Sequence, residues 1–153
     1  GDEAATPPSA TTSSNDAASA ATPPCSPVDG SWQQIDVPQG ALTQTEKGQM
    51  VVTVTKGWYV QQGDQWFVRL ETETENISQE PYYHGVYYYR TAVLDGLPQG
   101  EPTCFSLTGG ETLVDPAQHN VSEVEFALDS DPAGKPLFLQ LNDTKTIQVT
   151  PSV

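Results

Sequence analysis

Basic residues are scarce in this chain of 153: six Lys and Arg stand against twenty Asp and Glu, a formal net charge of −14. Such a field repels phosphate backbones and anionic lipid surfaces, which excludes nucleic acid as a partner. Long apolar runs are missing too, and none reaches the roughly 18 residues of a membrane-spanning helix. Cysteine numbers two, with no Cys-x-x-Cys pair and no four-ligand Cys/His pattern, so catalytic thiols and structural zinc are not expected. Histidine also numbers two, His84 and His119, and there is no Gly-x-Ser-x-Gly, His-Glu-x-x-His or phosphate-cradling glycine loop. These absences argue against an enzyme and against a resident cofactor or metal. Twenty acids offer many glycosidase-like pairs, but a solvated face such as Glu71-x-Glu73-x-Glu75 accounts for them more simply.

What the chain does contain is a polar leader and a strand-rich remainder. Of residues 1–24, nineteen are Ala, Thr, Ser or Pro, with no aromatic, Leu, Ile or Val among them. That stretch has too little apolar surface to offset the entropy of ordering, so 1–24 is expected to be a disordered tether and 25–153 one domain. Asp2, Glu3 and Asp16 carry three of the fourteen negative charges, which leaves −11 on the domain itself. Only 17% of residues are charged and 36% hydrophobic, a balance that suits a secreted β protein. The opening Gly-Asp-Glu followed by Ala/Thr/Ser/Pro resembles bacterial lipoproteins just after their lipid-bearing cysteine. That resemblance implies an extracellular, membrane-tethered protein held by an N-terminal lipid; a secreted protein with a disordered leader is the alternative. In either setting the even cysteine count favours a Cys25–Cys104 disulfide, which would stabilise the fold by about 4–5 kcal/mol through loop closure.

From residue 42 the chain alternates with period two between Gly, Pro, Asn and Asp breaks, the signature of strands. Met50–Thr55 and Trp58–Val60 make one long arm, bent or bulged at Gly57, and Gln61–Gln65 turns it. Trp66 to Glu75 places Trp66, Val68, Leu70, Thr72 and Thr74 on one face, with Phe67, Arg69, Glu71, Glu73 and Glu75 on the other, toward water. Tyr82 to Leu94 is expected as a further strand, Thr103 to Leu107 as a short one, and Val121 to Leu128 as an alternating one. Leu137–Leu141 and Lys145–Val149 close a final hairpin. Seven or eight strands with turns about ten residues apart predict an all-β, immunoglobulin-like antiparallel sandwich.

The order of these pieces resembles the telokin-like, immunoglobulin-fold domain of unknown function found in secreted bacterial lipoproteins. The matching stretches are Gly63–Val68 running into Glu75–Ser78, then Val93–Gly96, then Leu113–Pro116 leading to Val124–Leu128. The resemblance covers about residues 48–150. The resemblance implies a fold and an envelope address but no activity.

The most unusual segment is Pro81–Arg90, with five of the six tyrosines. Clustered aromatics beside an arginine are the composition of binding hot spots. Uninterrupted alternation would set Tyr83, Tyr87 and Tyr89 on one face and Tyr82, His84, Val86, Tyr88 and Arg90 on the other. The favoured reading is a monomeric, non-enzymatic domain that binds another envelope or extracellular protein, one with a basic patch, through Tyr82, Tyr83, His84, Tyr88 and Arg90. Tyr83-x-x-x-Tyr87 also resembles the motif of near-transporter haem-binding domains, which implies a second reading: a haem-like carrier using Tyr83 and Tyr87. Asp129–Gly134 lacks the later Glu of a calcium loop and reads as a turn. The sequon positions Asn76, Asn120 and Asn142 read as turn residues too.

Overall fold

The alternating segments close into antiparallel sheets. The computed structural model describes residues 22–151, so all but the end of the expected 1–24 tether lies outside the described residues, as do 152 and 153. The strands are β1 (Gln33–Ile35), β2 (Leu42–Gln44), β3 (Met50–Gln62), β4 (Gln65–Asn76), β5 (Tyr82–Tyr83), β6 (Tyr89–Leu94) and β7 (Leu97–Pro98). They continue with β8 (Cys104–Gly109), β9 (Leu113–Val114), β10 (His119–Leu128), β11 (Leu137–Leu141) and β12 (Thr146–Gln148). No α-helix occurs among the described residues.

One sheet runs β1-β3-β4-β10-β8, with β2 on the same edge of β3 as β1; the other runs β12-β11-β6-β7. With β3, β4, β6, β7, β8, β10, β11 and β12 taken as A, B, C, C′, D, E, F and G, the sheets read A-B-E-D against G-F-C-C′. That is the immunoglobulin order. The small β5–β9 ribbon is a third, separate pairing. Antibody-type hallmarks are absent: strand C begins with Tyr89 rather than carrying a buried Trp, and no disulfide joins B to F.

The inner faces meet in one core, with Val52, Val54, Val68, Leu70, Val124, Phe126 and Leu128 against Ala92, Leu94, Leu137, Leu139, Leu141 and Ile147. Burial of each of these larger side chains contributes about 1.5–3 kcal/mol. Along β4 and β10 the inward row changes from apolar to polar: beyond Leu70 and Val124 come Thr72, Thr74, Asn76, Asn120 and Ser122, all fully buried. Asn120 is therefore an interior strand residue and not the expected turn residue. Asn76 does make a turn, since its Oδ1 accepts from the backbone N–H of Ser78 at 2.8 Å.

The long arm β3 bulges two residues earlier than expected. Its register with β4 slips between Val54 and Lys56, which leaves Thr55 as the extra residue. One inserted residue reverses the faces. Met50, Val52 and Val54 point inward before it, and Gly57 and Tyr59 after it. Gly57 has a different role, close approach: a Cβ there would stand 3.2 Å from both Ile35 Cδ1 and Leu70 Cδ2. Gly63, at φ +63°, opens the two-residue β3–β4 turn in the backbone region that favours glycine.

The outer face of the larger sheet is not left to water, because the chain ahead of β1 crosses it. Phe105 donates its N–H to the Pro23 carbonyl, and the Cys25–Cys104 disulfide fixes the crossing beside β8. Arg69, expected on the solvent side, is buried beneath this strap. Its Nη1 donates to the Ser26 carbonyl at 2.6 Å and to Glu123 at 2.9 Å, while Nε and Nη2 donate to Glu125 at 3.0 and 2.8 Å. The Trp32 ring lies 5.0 Å from the guanidinium carbon and closes the stack.

Candidate functional site

The tyrosine-rich stretch is three pieces rather than one strand. Tyr82 and Tyr83 pair with Val114 and Leu113, Gly85 breaks the pairing, Val86–Tyr88 form a single 3-10 turn, and β6 starts at Tyr89. Alternation across the whole segment is lost as a result. At Gly85 the backbone is extended, and a Cβ would meet the Tyr87 ring at 3.3 Å, so the turn folds tightly over this residue.

Of the five residues expected at a binding surface, Tyr83 and Arg90 are exposed, and Tyr82 and Tyr88 are half-buried. His84 is fully buried and offers nothing to the surface. Tyr87 takes its place at 51% exposure beside Tyr83 at 61%. Leu113, which the sequence reading did not single out, lies directly opposite Tyr83 in the β5–β9 register and is 41% exposed. Only the long-range pairing of two short ribbons brings it there. Tyr83, Leu113 and Tyr87 thus form an exposed apolar patch, held in shape by a hydrogen bond from the Tyr87 hydroxyl to the Tyr83 carbonyl at 2.8 Å.

Tyr87 also separates two open grooves. One, of about 320 Å³, lies between the Thr45–Gln49 loop, Tyr88 and the Asn142–Asp143 turn. The other, of about 590 Å³, runs past Arg90, Glu101 and Pro102. Their walls are cross-tied: Gln49 donates to the Tyr82 hydroxyl at 2.7 Å, the Asn142 N–H to the Tyr88 carbonyl at 2.8 Å, and the Glu46 N–H to Asp143 at 2.6 Å.

Below the patch, His84 sits in the polar end of the core. Its Nε2 is 2.7 Å from the Tyr89 hydroxyl and 3.1 Å from Thr74 Oγ1; Tyr89 in turn meets Thr72 Oγ1, which meets Ser122 Oγ, each at 2.8 Å. Nδ1 of His84 and Oδ1 of Asn120 are both buried without a hydrogen-bond partner of good geometry. Burial pushes the His84 imidazole down to about 4, and the Asn120 side chain pulls weakly the other way. Burial raises Tyr89 as well, against the hydroxyls that bond it. Desolvation pushes Tyr87 up to about 12, with Tyr88 and Tyr83 adding to it, and Tyr88 is raised by desolvation and then by the Asp143 carboxylate.

His84 has only neutral neighbours and no route to solvent. Tyr87, the residue that would ligate iron under the haem-like reading, holds its proton more tightly than an ordinary phenol and directs it at a backbone carbonyl.

No family model matches the chain, and no curated protein matches it. Among solved structures, the crystal structure of a conserved hypothetical protein from Bacillus anthracis is similar, with a TM-score of 0.52 and 12% identity, over 78% of this chain and 97% of that one. The likeness is one of fold. It covers nearly all of that protein and leaves the tyrosine-rich surface to be interpreted from its own geometry.

Proposed function

We propose that this chain is a non-enzymatic binding domain of a secreted or lipid-tethered envelope protein, of the telokin-like kind. It holds another protein through the patch of Tyr83, Leu113 and Tyr87, bordered by Tyr88 and Arg90. One observation carries the reading: three large side chains from two distant segments are exposed close together, with Tyr83 opposite Leu113 in the ribbon and the Tyr87 hydroxyl bonded to the Tyr83 carbonyl. Pre-organised aromatic anchors lose little entropy on binding, and contiguous exposed apolar groups on a small domain mark contact surfaces. A charge of −11 outside the tail favours a partner whose apolar contact is rimmed by basic groups. The Cys25–Cys104 disulfide fits an oxidising extracellular compartment.

The test is a photoreactive side chain at position 83, compared with one at Asp64 in the β3–β4 turn, in cells of the producing organism. A discrete cross-linked protein at 83 that disappears in Tyr87→Ala/Leu113→Ala supports the proposal. Equal, diffuse labelling at both positions overturns it, and a cross-link to a second copy of the chain replaces a foreign partner with self-association.

A further inference from the structure

We infer that His84 is a pH-sensitive plug beneath the exposed patch: while neutral it pins residues 82–88 to the sandwich, and on taking a proton it lets them go. The consequence for binding rests on the function proposed above; the switch itself does not.

The geometry of the pocket around the ring carries the inference. β4 presents Thr72 and Thr74, β10 presents Asn120 and Ser122, β6 presents Tyr89, the 3-10 turn presents Tyr88, and β8 presents Phe105. None of these is negatively charged at neutral pH. The carboxylates on the same two strands, Glu71, Glu73, Glu75, Glu123 and Glu125, stand on the opposite face by strand alternation, as does the second histidine, His119, with Glu73. An imidazolium in this site would be buried with no counter-ion, and hydroxyls and an amide offset only part of that cost. The low affinity of the buried ring for a proton is the same fact seen from the native side.

Release is local because little else holds the segment. Apart from the His84 ring, its ties are the two residue pairs of the β5–β9 ribbon, the His84 N–H to the Thr112 carbonyl, the Gln49 bond to Tyr82, the Asn142 N–H to the Tyr88 carbonyl, and the half-buried Tyr88 ring, which packs on the core beside the imidazole and loses that support when the imidazole leaves. From Tyr89 onward, β6 is paired along β11 and stays. Segments with few backbone bonds and few buried neighbours open before the core does. The sign follows from linkage. A histidine whose native proton affinity is depressed stabilises the closed form fully above its free value near 6.5, and that contribution is lost as pH falls toward 4. Opening should rise about tenfold per pH unit across that window. Since Tyr83 and Tyr87 ride on the released segment, acid would dissolve the patch and free its partner.

The experiment is hydrogen exchange by mass spectrometry on the full chain from pH 7.5 to 4.5, corrected for the intrinsic exchange rate, with no partner present. The expected result is flat protection of 82–88 above pH 6.5 and a fall of about tenfold per unit below it, while β4 and β10 stay protected. His84→Gln, neutral at every pH, should remove the slope. Protection of 82–88 that does not change with pH in the wild type overturns the proposal, as does a slope that survives His84→Gln or a simultaneous loss from every strand. If His84→Gln fails to fold, an NMR titration of the His84 ring in the wild type decides: a ring titrating near 6.5 with no change in the amides of 82–88 overturns the plug. Because no partner is used, failure here leaves the binding proposal intact, and a negative cross-linking result leaves the plug intact.

Discussion

The Tyr87 hydroxyl donates to the Tyr83 carbonyl at 2.8 Å, so one hydrogen bond ties the Tyr87 ring to the backbone that carries the most exposed ring of the segment. Tyr87→Phe keeps the ring and deletes the tie. The bond is surface-exposed, so stability should change by less than about 1 kcal/mol. Amide exchange at Tyr83 to Tyr88 should quicken, and once the cross-linked partner is known its dissociation should accelerate. Unchanged exchange would show that the ring is positioned by packing alone.

Arg69 joins the strap to β10 through Ser26, Glu123 and Glu125. Arg69→Leu leaves two half-buried carboxylates and one carbonyl without their donor. The expected loss is about 3 kcal/mol in urea unfolding at pH 7, since breaking a buried ion pair costs more than the pair contributes. Adding Glu123→Gln and Glu125→Gln to that variant should recover part of it.

Reduction is expected to act at the strap. Cys25→Ser/Cys104→Ser should cost about 2–5 kcal/mol, with new exchange concentrated in residues 22–32 and along β8. A uniform loss across both sheets would mean that the strap stays docked without the bond.

Gly57→Ala places a methyl group 3.2 Å from Ile35 and Leu70. Overpacking of this kind costs about 1–3 kcal/mol, against a typical gain for replacing glycine in an exposed strand. The melting temperature of Gly57→Ala should therefore drop, and Ile35→Val in the same chain should recover part of the loss by yielding room.

Much of the sandwich was legible in the sequence because its signals are local. The alternation of Trp66–Thr74, Val124–Leu128 and Leu137–Leu141 fixes which face is core, and Gly63–Asp64 and Asn142–Asp143 mark their turns. The cysteine pairing followed from there being two. The site was less legible. Gly85 ends the alternation that had put His84 at the surface, and nothing within Tyr82–Arg90 reveals that Leu113 lies opposite Tyr83. Arg69 reads as solvent-facing because its cover, the strap through Ser26, comes from 43 residues away in sequence. The Leu113 neighbour and the cover over Arg69 are contacts between distant segments, where periodicity carries no information, whereas Gly85 is a local break in the alternation.

The disulfide also sets the route by which tension would cross the molecule. A pull along the chain ahead of Cys25 passes straight to Cys104 through a covalent bond, and residues 26–103 lie in a bypassed loop. Tyr83, His84 and Tyr87 fall within that loop, so a tugged linker would load β8 to β12 while sparing the segment that bears the rings. Reduced, the same pull would peel off the strap first and draw β1 from the edge of β3.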